Sequence, residues 1–138
     1  MRIVVDASVL VATLMADGTV RDVLLSSPDH EYFAPQYIQA ELERNLSRIA
    51  SRARLPMETV RALTEDVFEA VDLLHSATYA HLLADATALA KAANAQGDED
   101  YIAVAMLLNA PVWTLDNDFR RMKGIRCLNT KEVNDLTL

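Results

Sequence analysis

Hydrophobic and polar positions along this chain switch between two periods. Arg2 to Asp6 encloses a continuous β-branched run, Ile3-Val4-Val5, with no polar alternation. Such a run predicts a central strand covered on both faces, as in a parallel sheet. Helical patterning follows over roughly 9–15 and 20–25, and residues 31–35 read as a second strand, a spacing that suits a βαβ crossover. Pro35 opens a long helical stretch to about Arg54. Pro56, a residue tolerated in the first helical turn, opens another to about His75, with Val60, Leu63, Val67, Val71 and Leu74 as its apolar stripe. These two helices predict a helical hairpin. Residues 82–95 are alanine-rich and helical by propensity, with Gly97 as the stop. Residues 98–109 predict a further helix packing through Ile102, Ala103 and Leu107. Pro111 to Leu115 predict a short strand that begins on its proline. Residues 125–128 read as a last strand and 129–136 as a terminal helical turn or two. No repeat, linker or low-complexity tract interrupts the pattern, so residues 1–138 are expected to form one α/β domain.

At 138 residues, a domain buries roughly two thirds of the surface its unfolded chain exposes, so a hydrophobic core needs no staples. Cys127 is the single cysteine, and no Cys/His spacing resembles a zinc site. A reducing, cytoplasmic setting is therefore expected. The apolar run at the N-terminus is too short for a secretory leader, and no stretch approaches ~18 apolar residues, so no membrane association is expected. Twenty acidic against thirteen basic residues give a formal charge of −7, which opposes the broad attraction behind most nucleic-acid binding. That objection weakens if the acids gather around a divalent cation, which inverts the local field.

Several acids do fall at the ends of predicted elements. Asp6 closes the first strand, and Asp116 and Asp118 follow the strand that ends near Leu115. In open parallel sheets, side chains just beyond the carboxyl ends of strands line the ligand crevice. Glu41 lies on the helix opened by Pro35, about 60° from Ile38 at the margin of the Ile38/Leu42/Ile49 stripe. Asp98 starts the next-to-last long helix, with Glu99 and Asp100 beside it. Carboxylates meeting without an ion would raise one another's pKa; Mg²⁺ or Mn²⁺, which prefer hard oxygen ligands, would resolve the conflict. Plainer readings exist for each acid. Asp98 could be a helix N-cap, residues 116–118 an ordinary turn, and Glu41 a solvated flank. Asp6 is harder to dismiss, because a carboxylate ending a buried strand needs a partner or a ligand.

The segments Ile3-Val4-Val5-Asp6-Ala7-Ser8-Val9-Leu10, Ala34-Pro35 with Glu41-Leu42, Asp98 to Ala105 and Ala110 to Phe119 together resemble the PIN-domain family, and within it the VapC-like toxins of toxin–antitoxin pairs. The resemblance implies a Rossmann-like, three-layer fold with a central parallel sheet flanked by helices. It implies one or two Mg²⁺ or Mn²⁺ ions held by acids at the strand ends, and ribonuclease activity. Carried over by position, Asp6 is the first acid, Glu41 the second, Asp98 the third and Asp116 the fourth, with Asp6, Asp98 and Asp116 as metal ligands. Asp118 is an additional acid, Asp100 competes with Asp98 for the third place, and Ser8 and Thr114 match small polar positions close to the site. The family also implies a cognate antitoxin and a homodimer, with the hairpin of residues 35–75 as a candidate surface.

Glu41, Asn45, Arg48 and Arg52 recur at helical spacing and form one polar stripe, which makes Arg48 and Arg52 candidates for holding an RNA backbone, against the plainer reading of a solvated face. Arg120, Arg121 and Lys123 are expected to serve solubility. His30, His75 and His81 are dispersed and lack a neighbouring nucleophile, so covalent catalysis has no support. Trp113 is expected in the core. The alternatives are a non-catalytic PIN-like module that binds RNA or protein, or a stand-alone PIN nuclease. A haloacid-dehalogenase-like phosphatase is disfavoured, since that chemistry needs an aspartate where this chain has Ser8.

Overall fold

The computed structural model describes residues 1–26, 29–117 and 119–136. Strand β1 (Arg2–Val5) is followed by helices α1 (Ala7–Met15) and α2 (Thr19–Ser26), then strand β2 (Glu31–Pro35) and helices α3 (Tyr37–Ala53) and α4 (Met57–Ala70). Strand β3 (Val71–Leu74) leads into a short helix α5 (Ser76–Tyr79), a 3-10 turn, and helices α6 (Leu83–Ala92) and α7 (Glu99–Leu108). Strand β4 (Val112–Trp113), strand β5 (Cys127–Leu128) and helix α8 (Thr130–Asp135) close the chain.

The five strands form one parallel sheet in the order β3-β2-β1-β4-β5. Strand β1 takes the centre because Ile3, Val4 and Val5 are wholly buried and have no polar face to offer solvent. Helix α7 packs on β1, β2 and β4 and against α5 and α6, while α1 to α4 and α8 pack among themselves, giving the three layers expected of the pattern. Trp113 is a core residue whose indole N–H donates to the Thr130 hydroxyl at 3.1 Å. Among the described residues, no helix is long and apolar enough to cross a membrane.

The sheet register determines where the acids emerge. Val5 pairs with Trp113, and the Asp6 N–H donates to the Trp113 carbonyl at 3.0 Å, so Asp6 and Thr114 leave neighbouring strands at the same level.

One expected boundary is wrong. The helix opened by Pro56 stops at Ala70, and Val71–Leu74 is a strand paired with β2 rather than the end of the hairpin. Val71 turns extended at φ −118° and ψ 124°, and the Gln36 N–H donates to the Leu74 carbonyl at 2.9 Å. Val67, Val71 and Leu74 suit a helical stripe equally well. What decides the matter is the outer edge of β2, whose backbone groups need partners. The last two strands are also shorter than their apolar runs.

Helix α7 supports β1 and carries Asp98 at its start, so its core contacts underlie the whole acidic end. Ile102 is fully buried there. Ile102→Ala should destabilise the protein by about 2–5 kcal/mol. The check is a lowered urea midpoint with an unchanged m-value.

Candidate active site

Asp6 is only 4 % exposed, and its carboxylate is held on both oxygens. Oδ1 accepts the Ala7 N–H at 2.8 Å, which makes Asp6 the N-cap of α1. Oδ2 accepts the Ser8 hydroxyl at 2.9 Å and the Thr114 hydroxyl at 2.8 Å. Both hydroxyls also work in the other direction. Ser8 Oγ accepts the Leu115 N–H at 3.1 Å, and Thr114 Oγ1 accepts the Asp116 N–H at 3.0 Å. The small polar positions singled out in the sequence thus tie Asp6 to the loop that carries Asp116. Asp118, predicted beside it, lies outside the described residues.

The three consecutive acids at the start of α7 differ in their contacts. Asp98 holds the N-cap position, but at φ −104° and ψ 11° it makes no capping hydrogen bond. The plain N-cap reading therefore does not account for its side chain. Glu99 folds back to accept the Gly97 N–H at 3.0 Å, while Asp100 accepts the Tyr79 hydroxyl at 2.5 Å. Burial first, then the charges of Asp6 and Asp116 and finally Glu99, push the Asp98 carboxyl up to about 7. Asp98 is thus the one coupled electrostatically to Asp6 and Asp116, while one Asp100 oxygen is engaged by Tyr79.

Glu41, half-buried on α3, reaches the same region from another side. Its charge and that of Asp6 both act on Tyr101, whose hydroxyl burial and these neighbours hold far above the ordinary tyrosine range. The Tyr101 ring meets Tyr37 edge-on at 6.1 Å. Their hydroxyls interact electrostatically but miss hydrogen-bond geometry. Partial burial, opposed by the Tyr101 hydroxyl and reinforced by Glu41, Asp100 and Asp98, brings Tyr37 to about 12. This tyrosine group was missed in the sequence. The available signals were Tyr37 one helical turn before Glu41, and Tyr101 three residues after Asp98.

Arg48 and Arg52 lie exposed along a groove between α1 and α3 of about 350 Å³, together with Glu41 and Asn45. Its floor is apolar, including Val11, Met15, Leu42 and Ile49. Asn45 spends its amide on the Glu41 carbonyl at 2.8 Å. Arg120 is engaged structurally, pairing with Glu132, which also completes a capping box with Asn129 at the start of α8.

Among the described residues, no three histidine, cysteine or carboxylate side chains converge into a preformed metal cage. The donor chemistry nonetheless fits a hard divalent cation. Among the described residues, the charged neighbours that act on Asp98 are the acids Asp6, Asp116 and Glu99, which raise its carboxyl after burial has done so.

A family model described as the PIN domain matches residues 4–136. Among solved structures, the chain is similar to the crystal structure of VapBC2 from Rickettsia felis bound to a DNA fragment from their promoter. The TM-score is 0.69 at 15% sequence identity, covering 94% of this chain and 98% of that one, a likeness of fold. No curated protein matches this sequence.

The Asp98 shift has a consequence for stability. Its carboxyl binds a proton more tightly folded, at about 7, than at the ordinary value of 3.8. Between those values the native state holds more protons than the unfolded one, so this group's contribution falls as pH rises through the window. In chelator-treated buffer, Asp98→Asn should match the wild-type melting temperature near pH 4 and exceed it at pH 8. Parallel calorimetric profiles across that range would contradict the assignment.

Proposed function

The chain belongs to the PIN-domain family, and from that premise we propose that it is a metal-dependent endoribonuclease that hydrolyses RNA phosphodiester bonds as the toxin half of a toxin–antitoxin pair. The observation that carries this reading is the electrostatic coupling of Asp98 to Asp6 and Asp116 near the carboxyl end of the sheet, where burial first and then these charges raise Asp98 to about 7. In this reading those three hold one or two Mg²⁺ or Mn²⁺ ions, and Glu41 is the further acid. Such an ion supplies Lewis acidity at the phosphate and acidifies water.

The chain's own residues do the positioning. Ser8 and Thr114 fix the Asp6 carboxylate, and through Leu115 and Asp116 they fix the loop beside it. Supporting partners of this kind typically contribute about 10- to 100-fold to affinity or activity. In this reading Glu41, on α3, accepts a proton or orients water next to the ligand acids.

The similar Rickettsia felis protein was solved as a VapBC2 pair. By analogy, a cognate antitoxin is proposed to cover the acids with a basic side chain, and the toxin to form a homodimer. Intact carboxylates favour a nuclease over a non-catalytic binding module, while a stand-alone nuclease would keep the same acids. A short neighbouring reading frame encoding a DNA-binding fold with a basic tail would support the pair, and its absence would favour the stand-alone nuclease.

Purified protein should cut single-stranded RNA with Mg²⁺ or Mn²⁺ and lose that activity in chelator. Asp6→Asn should lower turnover by more than the roughly 100-fold expected of a lost supporting partner while preserving the fold by circular dichroism. RNA left intact with either ion would sink the proposal.

Arg48 and Arg52 are proposed to grip the RNA backbone. Reversing both charges should weaken RNA binding and flatten its salt dependence while metal affinity stays unchanged. Unchanged RNA binding would reduce the pair to a solvated face.

A further inference from the structure

A second cavity, of about 820 Å³, lies against the acids on the side away from the arginine groove. Its volume falls within the roughly 300–1,000 Å³ of small-molecule sites. Tyr37, Gln39, Glu43, His75, Tyr79 and Asp100 line it, and Glu41 forms part of its wall, so the cavity is continuous with the candidate active site.

Tyr37 is among the few large apolar side chains left exposed, at 39 %, and it stands one turn before Glu41 on the same face of α3. It is not loose. Its ring is T-shaped to that of Tyr101, which is 1 % exposed, and Tyr37 remains partly open where it lines the cavity. Elsewhere in the lining the Tyr79 hydroxyl donates to Asp100. An anchored, partly open aromatic is the kind of element that single-stranded RNA readers use to stack a base.

The charge of the wall narrows the occupant. Glu41, Glu43 and Asp100 stand against His75, the one basic group among the described lining residues. A phosphate would be repelled here. A neutral base edge would be accepted if it brings N–H donors to carboxylate and amide oxygens.

We propose that this cavity receives one nucleobase of the RNA next to the cleaved bond, stacked on Tyr37 and selected by Glu43 and Gln39 for an exocyclic amino group. Adenine, cytosine and guanine carry that group, whereas uracil does not. The inference rests on the ribonuclease reading above.

The test uses the full chain and short single-stranded RNAs that differ in one base beside the cut, with 2-aminopurine at that position as a stacking probe. Tyr37→Ala should raise KM about ten- to hundredfold with little change in kcat and abolish probe quenching, while Tyr37→Phe and Tyr37→Trp retain both. Glu43→Gln should erode the preference for cytosine over uracil. Cleavage with KM and base preference unaffected by Tyr37→Ala overturns this inference and leaves the nuclease standing. Tyr37-dependent quenching without cleavage under either metal upholds the base site and sinks the nuclease. A protein that neither cuts nor quenches overturns both. If Tyr37→Ala and Glu43→Gln weaken binding of an arginine-rich peptide but leave RNA kinetics alone, the cavity belongs to a protein partner and the base assignment fails.

Discussion

A carboxylate at the end of a fully buried strand is costly unless its oxygens find donors, and the acidic end of this protein is organised around meeting that requirement at Asp6. The Ala7 amide comes from α1, the Ser8 hydroxyl from the same turn, and the Thr114 hydroxyl from the neighbouring strand. The first two are local to the β1–α1 turn, and the third is in place only if β1 and β4 pair in register. The hydroxyls then pass the constraint onward, because each also accepts a backbone N–H from the loop that follows β4. Charge, sheet register and loop conformation at this end are one coupled arrangement.

The same arrangement explains how an acidic chain can be read as a nuclease. Its formal charge of −7 is not evenly spread in effect. The charges of Asp6 and Asp116 act on Asp98, and the arginines at 48 and 52 lie along a separate groove beside Glu41. In the proposed reading a cation relieves the first and the second is the path of the RNA backbone.

Much of this was legible in the sequence because the strongest signals are local. Ile3-Val4-Val5-Asp6 announces a buried strand that ends on a carboxylate in need of partners, and Gly97 followed by Asp98 announces a helix start. The strand Val71–Leu74 was not legible, since its alternative as a helical turn differs only in which partner satisfies the backbone, and that partner, β2, is remote in sequence. Nor could spacing distinguish the surroundings of Asp98 from those of Asp100. The Asp100 contact that differs is Tyr79, 21 positions away on a short helix that no period predicted. Tyr37 and Tyr101 escaped for a similar reason: each reads as ordinary amphipathic packing until the two helices are brought together.

The sheet's borders carry a consequence for self-association. On one side it ends in β3, four residues long with Asp72 exposed, and on the other in β5, only two residues long. Short, charged borders are poor templates for strand addition. Edge-to-edge addition of a further strand is therefore disfavoured at both borders of the five-stranded sheet, which makes it a poor template for the stacking that turns parallel sheets into aggregates.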